Sequence, residues 1–590
     1  MKIDEYFNSC QFVLNKAVLE IYPSAQLIDS FNNDNGFFSD FDIQSISETD
    51  FEKIELKMKE IIAQASNFLS IKLNQSEALD WFKAINQPYR VKQLENLFQD
   101  NKQNFIELCK IDNFQDLSKG KYLKNVSDLK YFKIMSVSGV YLDNDIKKKQ
   151  VQRIHVNVFK DKQAMVDYFQ ALDQAQLRDH RRLGVSLDLF VFSDLVGIGL
   201  PLFTPRGTIL REELSNFSNE LRLKHGFQKV FIPHLTKKDL YEKSGHWSKF
   251  GDELFLVNSQ ETSDQLILKP MNCPHHTRIY ASQPRSYKDL PIRYLETTTV
   301  YRDEKTGELG GLNRVRSITQ DDSHVFCATD QIEDEISFLL ESAQRFYQTV
   351  GMSLRVRLSY RDNSNGYLGS QEIWQTSQLQ LKNAVEKIDL EYFEQEGEAA
   401  FYGPKIDFMA TDALNREHQV ATVQLDFVQP ERFNLNYIDQ NNDKKTPIMI
   451  HCALMGSIER FLAVYIEHTN GNFPVWNAPE QLRIITVNQD EKILKYVNQI
   501  IEMCQMGNIR FFLDNQSESV SKKIKQAELL KIPYVLVIGE KELHEKVVLP
   551  RIRRDLRNNS NNLEPLQIDN FFATMQTEIK NRSSKTSLDL

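Results

Sequence analysis

The first 154 residues of this 590-residue chain contain no histidine, and the first one is His155. Imidazole therefore carries no chemistry in that region. The chain also lacks a long apolar run, since no stretch approaches the roughly 18 residues that span a bilayer. Its start, Met1 to Glu5, shows no basic segment followed by an apolar one. We expect a cytoplasmic protein with neither a secretion signal nor a membrane contact.

Paired cysteine spacings and internal repeats are missing as well. Scattered cysteines are typical of free or metal-bound thiols in a reducing compartment. A net charge of -9 argues against non-specific binding to nucleic acid, so DNA is not an expected partner. A local basic surface that docks a folded RNA stays compatible with it. The six cysteines are Cys10, Cys109, Cys273, Cys327, Cys452 and Cys504.

The length requires more than one core, and we predict three domains, covering residues 1–180, 181–478 and 479–590. Hydrophobic periodicity in the first predicts a mixed α/β module that ends in a charged linker helix. Its predicted elements are a helix over Asp50–Leu69, a strand over Lys133–Leu142 and the linker helix over Ala164–Leu183.

The middle domain combines long helices with antiparallel strands. They are helices over Gly207–Leu223, Gln331–Val350 and Gly456–Glu467, and strands over Lys229–Ile232, Leu354–Tyr360 and Ala421–Phe427. The last domain alternates short strands with helices, which is typical of a small α/β domain with a mostly parallel sheet. Its strands are Leu482–Val487, Ile509–Leu513 and Tyr534–Ile538, and we expect the polar tail after Asn581 to be frayed.

Three side chains in separate segments form a candidate metal site: Cys273, His324 and His451. No local motif links them, and on spacing alone a core thiol and two buried histidines are the simpler reading. Three protein ligands would leave tetrahedral Zn²⁺ one open position, as in catalytic sites.

Arginines form a second candidate group. Arg302, Arg314 and Arg316 follow the pattern of a strand, a glycine-bearing loop and a strand. The guanidinium fork suits bidentate contact with phosphate, although exposed charges on a hairpin are the simpler reading of this pattern taken alone. Arg460 falls on the first turn of a predicted helix, near the positive end of its dipole.

Read together, these segments resemble class II aminoacyl-tRNA synthetases. Pro233 after a helix and a strand is similar to motif 1, Val300 to Arg316 to motif 2, and Gly456 to Phe461 to motif 3. Longer strings resemble the threonyl-tRNA synthetase family in particular. These are Met271–Pro274, Thr319–His324, Phe401–Asp407 and Met449–His451.

The resemblance implies an α/β and α+β multidomain fold. Its parts would be an N-terminal α+β editing-like module, a class II catalytic domain with an antiparallel sheet, and a C-terminal α/β anticodon-binding domain. It also implies a homodimeric ligase that joins L-threonine to tRNA(Thr) through threonyl-adenylate, with ATP consumed to AMP and diphosphate.

The resemblance further assigns roles to residues. Cys273, His324 and His451 would hold one Zn²⁺ per subunit, and Mg²⁺ would accompany ATP. The implied threonine pocket consists of Asp322, Tyr402, Gln424 and Gln320. The implied ATP site consists of Arg302, Glu304, Arg314, Gln419 and Arg460. The implied catalytic residues are Arg302, Arg460, Gln320 and Lys405, and the implied anticodon readers are Glu542 and Arg551, on a basic face with Lys522, Lys523 and Lys525.

Departures from the family concentrate in the first module. Asn8, Phe12 and Asn113 stand where the editing domains of relatives carry histidines, while Cys109 matches. Neither an amide nor a phenyl ring can act as a general base. We therefore expect weak or absent hydrolysis of Ser-tRNA(Thr), with the module kept for docking the tRNA acceptor stem and for folding.

Two smaller departures and two rival functions remain open. His275 replaces a usual glycine beside the metal segment, and Ile318 replaces an aromatic that often covers adenine. One rival is a sister class II synthetase for proline or serine, against which the three metal ligands argue. The other is a non-catalytic RNA-binding paralogue, which would have no use for the intact arginine set.

Overall fold

A computed structural model divides the chain into two compact units, Met1–Asp173 and Gln174–Leu590. The structure describes residues 3–64, 67–100, 105–145, 147–364, 366–388, 390–558 and 564–588. The predicted boundary at residue 478 lies inside the second unit, between the strands of an eight-stranded sheet and those of a four-stranded sheet. Within the described ranges, none of the helices has the length and hydrophobicity needed to cross a bilayer.

The first unit is an α+β module. Helix α1 is buried from Phe7 to Val18 and packs on a four-stranded sheet of order β1-β2-β7-β6, beside a three-stranded sheet β3-β4-β5. Its helices are α1 (Ile3–Ile21), α2 (Phe51–Gln64), α3 (Gln75–Ala84), α4 (Pro88–Asp100) and α5 (Lys162–Arg178), which contains the unit boundary. Its strands are β1 (Gln26–Asn32), β2 (Gly36–Asp42), β3 (Leu69–Asn74), β4 (Phe105–Ile111), β5 (Phe114–Leu117), β6 (Phe132–Tyr141) and β7 (Gln150–Val158).

The strand predicted over Lys133–Leu142 is confirmed as β6, but the helix predicted to reach Leu69 ends at Gln64. Beyond that helix the apolar residues Leu69 and Ile71 recur every second position, as a strand that pairs with β4 requires. The predicted linker helix is also interrupted, because Asp179 accepts a hydrogen bond from the Arg181 backbone nitrogen at 2.8 Å and caps a new helix.

The second unit is built on an eight-stranded sheet of order β10-β14-β15-β22-β19-β18-β16-β17. The six inner strands, β14-β15-β22-β19-β18-β16, pair antiparallel with their neighbours. The edge strands β10 and β17 pair parallel with β14 and β16. Helices α7, α11 and α14 pack against it through a large apolar core. The helices of this unit are α6 (His180–Ser186), α7 (Pro205–Leu223), α8 (Asp239–Ser244), α9 (His246–Phe250), α10 (Cys273–Tyr280), α11 (Ile332–Val350), α12 (Gln371–Lys387), α13 (Gln429–Arg432), α14 (Ile458–Thr469), α15 (Glu491–Met506), α16 (Val520–Leu529), α17 (Glu540–Glu545) and α18 (Ile568–Asn581).

The antiparallel middle sheet agrees with the predicted fold class. The strand predicted over Lys229–Ile232 stops at Lys229, because the Ile232 backbone nitrogen donates to the Glu296 carboxylate at 3.0 Å instead of extending the ladder. The strands of the unit are β8 (Phe190–Val191), β9 (Leu202–Phe203), β10 (Gln228–Lys229), β11 (Leu235–Lys237), β12 (Leu256–Asn258), β13 (Gln265–Leu268), β14 (Ile292–Tyr301), β15 (Ser317–Cys327), β16 (Ser353–Tyr360), β17 (Tyr392–Glu396), β18 (Lys405–Thr411), β19 (Glu417–Asp426), β20 (Tyr437–Ile438), β21 (Lys444–Lys445), β22 (Ile448–Ser457), β23 (Leu482–Thr486), β24 (Phe511–Asp514), β25 (Tyr534–Ile538), β26 (Val547–Val548), β27 (Arg551–Ile552) and β28 (Leu566–Gln567).

A smaller sheet of order β24-β23-β25-β27 forms near the C-terminus, with three parallel strands and one antiparallel edge. The predicted mostly parallel sheet is confirmed. The predicted frayed tail is wrong: Thr586 is buried and its hydroxyl lies 2.7 Å from that of Tyr534. The Ser587 backbone nitrogen also donates to Glu578 at 2.7 Å. A buried carboxylate that needs donors therefore holds the polar tail in place.

A buried ion pair joins α7 to the centre of the large sheet. Arg222 on α7 and Asp321 on β15 are both fully buried, with Nη2 and Oδ2 3.2 Å apart. The same oxygen accepts from the Ser218 hydroxyl at 2.6 Å and from the Leu454 backbone nitrogen at 3.1 Å. The pair thus ties α7, β15 and β22 together.

Replacing Arg222 by methionine should destabilise the second unit by about 3–5 kcal/mol, because it leaves the Asp321 carboxylate buried without its counter-charge. Thermal or urea unfolding followed by circular dichroism measures this. Lys224→Met is the matched control, since Lys224 is an exposed cation just beyond the end of α7 and should change stability by less than about 0.5 kcal/mol. Equal effects of the two substitutions would contradict the role given to the pair.

Candidate active site

Three metal-binding side chains converge where β15, β22 and α10 meet. His324 and His451 are register partners on neighbouring strands, and Cys273 is the first residue of α10. All three are buried, and their ligand atoms lie within 4.8 Å of one another. The fold therefore brings together the three residues that the sequence proposed.

The hydrogen bonds of His451 decide which of its ring nitrogens can bind a metal. Nε2 lies 2.9 Å from Oδ2 of the buried Asp426, so Nε2 carries the proton. Nδ1 then turns its lone pair toward His324, whose Nε2 is 3.0 Å away.

His324 is oriented by a second buried carboxylate, which acts through His276. Its Nδ1 lies 2.8 Å from Nδ1 of His276, whose Nε2 lies 3.5 Å from Oε2 of Glu296. When Nε2 of His276 donates to Glu296, Nδ1 of His276 accepts a hydrogen bond from Nδ1 of His324. The proton of His324 is then on Nδ1, and its Nε2 is unprotonated. Two lone pairs 3.0 Å apart repel each other, so this arrangement suits a bound cation.

Cys273 completes a donor set that fits zinc. Burial raises the pKa of its thiol well above the ordinary value, and a bound metal cation stabilises the thiolate. Gln429 points its amide nitrogen at Sγ from 3.5 Å. One sulfur and two imidazole nitrogens are typical Zn²⁺ ligands and leave a fourth position open.

The residues of the implied threonine pocket surround this group. The Asp322 carboxylate lies 3.8 Å from Nε2 of His324 and accepts from the Asn272 amide at 3.0 Å. The Tyr402 hydroxyl donates to Gln424, and its ring centroid is 5.4 Å from that of His451. An oriented carboxylate and a phenol thus stand next to the three side chains that could hold a metal.

Three of the candidate arginines, Arg302, Arg314 and Arg460, line a cavity of about 660 Å³ that adjoins this pocket along β15. Arg460 is on the first turn of α14, where the Ser457 hydroxyl caps the helix by accepting from the Arg460 backbone nitrogen at 3.2 Å. Ile318 and Gln320, two residues apart on β15, belong to the same wall. The lining also includes Glu304, Asn313, Arg416, His418 and Glu467.

Two residues assigned to the nucleotide bind each other here. Arg314 Nη2 lies 2.7 Å from Glu304 and 2.6 Å from Glu308. Gln419 and Lys405 are not among the described residues that line the cavity. Instead, the buried Asp407 accepts from Gln419 at 2.9 Å and from Lys405 at 2.8 Å.

Comparisons with known proteins agree with this geometry. Residues 255–469 match the family described as tRNA synthetase class II core domain (G, H, P, S and T), and residues 481–578 match the anticodon binding domain family. The threonine–tRNA ligase of Cytophaga hutchinsonii is 39% identical over 97% of this chain and 88% of its own length. That of Thermotoga neapolitana is 37% identical over 99% and 89%. The chain belongs to the threonyl-tRNA synthetase family.

Solved structures of aminoacyl-tRNA synthetases are also similar to this chain. The RNA binding domain of threonyl-tRNA synthetase from Cryptosporidium parvum Iowa II is 35% identical, covering 70% of this chain and 100% of its own, with a TM-score of 0.63. Prolyl-tRNA synthetase from Giardia lamblia, covering 71% and 80%, shares the fold alone, at 16% identity and a TM-score of 0.52.

The residues that the threonyl-tRNA synthetase resemblance assigns to anticodon reading lie in the C-terminal region. Arg551 is exposed on β27 and lines a cavity of about 870 Å³ that also contains Arg553, Arg554 and Lys531. Glu542 caps the start of α17 by accepting from the Gly539 backbone nitrogen at 2.9 Å.

One cation of the predicted basic face is buried instead. Lys523 is 2% exposed, and its ammonium donates to the Thr486 and Asp514 carbonyls at 3.2 Å each. The face therefore has fewer cations than its sequence suggests.

In the editing-like unit, two of the three replaced positions are buried, where one packs against aromatic rings and the other makes internal hydrogen bonds. Phe12 is 3% exposed, and its ring lies 5.1 Å from that of Phe114 and 6.1 Å from that of Tyr122. Asn8 is buried and donates to two backbone carbonyls of the 119–121 turn. Burial raises the pKa of Cys109 to about 12, and Asn113 is exposed.

Sequence reasoning missed the side chains that support the metal pocket. Asp426 lies two residues after Gln424 on β19, so strand alternation places both on one face. His276 lies three residues after Cys273 on α10, a spacing that shares a helical face. His275 is also buried, and neither ring nitrogen has a hydrogen-bond partner among the described residues.

Replacing His276 by alanine should weaken zinc binding about 10- to 100-fold, because His324 loses the acceptor that fixes its tautomer. Competition with a chelating dye measures the dissociation constant. His225→Ala is the matched control, since that exposed ring stacks on Phe338 outside the pocket. An unchanged zinc affinity in His276→Ala would show that the contact with His324 has no orienting role.

Proposed function

We propose that this chain activates L-threonine with ATP and transfers it to tRNA(Thr). One observation carries the proposal. Strand β15 presents Gln320 to the arginine cavity, and Asp322 and His324 to the metal pocket, on the same face. ATP in the arginine cavity and threonine in the metal pocket would then lie end to end, as the formation of a mixed anhydride between the two substrates requires.

Catalysis would consist mainly of alignment and charge stabilisation. The threonine carboxylate attacks the α-phosphate of ATP, diphosphate leaves, and the terminal hydroxyl of the tRNA then takes the aminoacyl group. Arg302, half-buried between the two pockets, would neutralise the α-phosphate and the carboxylate as they react. Arg314 and Arg460 would hold the outer phosphates, together with Mg²⁺, and Glu304 would accept from the adenine amino group.

Cys273, His324 and His451 would hold zinc, which when bound offers an open position to the amino and hydroxyl groups of threonine. An apolar pocket alone separates threonine from the nearly isosteric valine by only about 100-fold. The zinc site would therefore reject valine for want of an oxygen ligand. Serine carries that oxygen and would be rejected less completely.

A tRNA partner is supported by the cationic cavity beside Arg551. We further propose a homodimer, supported by the 83% exposed Phe231 beside the groove between α7 and β14. A monomeric mass in sedimentation would contradict it.

We also propose that the three domains end near residues 180 and 478, and that the protein works in the cytoplasm, where free cysteines persist.

ATP–pyrophosphate exchange tests the reaction. Full-length protein should exchange label only when threonine is present, and Cys273→Ala should lower kcat/KM for threonine by more than roughly 100-fold, because the oxygen-selective position is lost. Cys504→Ala is the matched control, since Cys504 is a buried thiol of α15 and should leave exchange unchanged. Exchange driven by proline or serine in place of threonine would favour a sister synthetase, and none with any amino acid would favour a binding protein.

We propose in addition that the first unit hydrolyses Ser-tRNA(Thr) weakly or not at all. The packed Phe12, the Asn8 amide that donates to two backbone carbonyls and the raised pKa of Cys109 support this, because none of these three side chains is ready to activate water. Preformed Ser-tRNA(Thr) should decay at or near its spontaneous rate with this protein and faster with an editing-proficient relative. Decay as fast as with that relative, abolished by removing residues 1–173, would contradict the proposal.

A further inference from the structure

A buried histidine with no part in the proposed reaction lies behind the arginine cavity. His180 is 2% exposed and begins α6. It does not line the cavity, yet its ring contacts two elements that do. Those elements are the loop between β14 and β15 and the last turn of α14.

The two ring nitrogens of His180 have different partners. Nδ1 lies 2.7 Å from a carboxylate oxygen of Glu467, and Nε2 lies 3.1 Å from the backbone nitrogen of Leu312. A backbone N–H can only donate, so Nε2 accepts and the ring proton sits on Nδ1. The ring thus bridges α14 and the loop in one tautomer.

The loop is shaped around this ring. Gly311 has a φ of +53°, and a Cβ there would lie 2.3 Å from Nε2 of His180. The loop closes on itself, with the Gly310 nitrogen donating to the Arg314 carbonyl at 3.2 Å. Arg314 follows Leu312 by two residues, so the ring supports the loop just beneath the arginine that faces the nucleotide.

The other side of the bridge reaches the opposite wall of the cavity. Glu467 also accepts from Arg416 at 2.6 Å, and Arg416 lines the cavity. Burial raises the pKa of Glu467, but the hydrogen bonds from His180 and Arg416 outweigh it and leave the pKa below its usual value. Asp179, His180 and Glu467 could hold a metal by distance, but Arg181 and Arg416 already neutralise the two carboxylates.

We propose that His180 is a positioning residue for ATP. It sets the position of the 310–314 loop relative to α14, and thereby the place where Arg314 meets the outer phosphates. This inference rests on the proposed function, and it predicts an effect on the nucleotide and not on the amino acid.

The test compares three substitutions in the full-length protein by threonine-dependent pyrophosphate exchange. His180→Ala should raise KM for ATP about 10-fold or more, since small misplacements near a reacting group are costly. KM for threonine and the zinc content should not change. His180→Gln extends an amide oxygen toward the Leu312 nitrogen and should recover most of the ATP affinity. His180→Asn reaches only Glu467 and should not.

Other outcomes overturn the inference. If His180→Ala lowers the unfolding temperature but leaves KM for ATP unchanged, or changes both KM values equally, the histidine is only structural. Equal behaviour of the Gln and Asn variants also overturns it. Direct ATP binding without threonine separates the two proposals. Wild type that fails in exchange contradicts the proposed function, whereas equal ATP binding by wild type and His180→Ala contradicts the role of His180.

Discussion

The buried pair of Arg222 and Asp321 fixes the register of β15, and the site depends on that register. Asp321 faces α7, while its neighbours Gln320 and Asp322 face the pockets. Because side chains alternate along a strand, a slip by one residue would turn every pocket residue toward the helices. A buried carboxylate that requires an arginine and a hydroxyl on α7 makes such a slip costly.

The same strand gives the site its dimensions. Gln320 and His324 are four residues apart, so their side chains lie roughly 13 Å from each other at the rise of an extended strand. In the proposed reaction, that span would suit an aminoacyl-adenylate lying along the strand with its amino acid at the metal pocket and its phosphate near the arginines. Both ends are supported from behind by buried carboxylates. Asp426 contacts His451, Glu296 contacts His276, and Glu467 joins α14 through His180 to the 310–314 loop. Buried carboxylates thus hold in place the side chains that face the pockets.

Much of this architecture could be predicted from the sequence, because segments with a strong hydrophobic periodicity indicate helix or strand directly. Strand β25 and helix α11 follow their predicted limits closely. Helix boundaries that depend on side-chain capping could not be predicted from the sequence. At Asp179, for example, a carboxylate ends one helix and begins another. The three candidate metal ligands could be named because the family strings contain them. Their partners His276 and Glu296 could not, since only the pairing of β14 with β15 and the placement of α10 reveal that they touch. The buried state of Lys523 was equally hidden, because the sequence shows a lysine but not the carbonyls around it.

In the proposed ATP site, the contact between Glu304 and Arg314 would compete with the binding of ATP. Adenine and phosphate would replace both partners of the pair, so the measured dissociation constant of ATP would include the work of separating them. Half of the Arg314 side chain is exposed, and a pair so close to water contributes no more than about 1 kcal/mol. The penalty is then about fivefold at most, and rising ionic strength should reduce it by screening the pair.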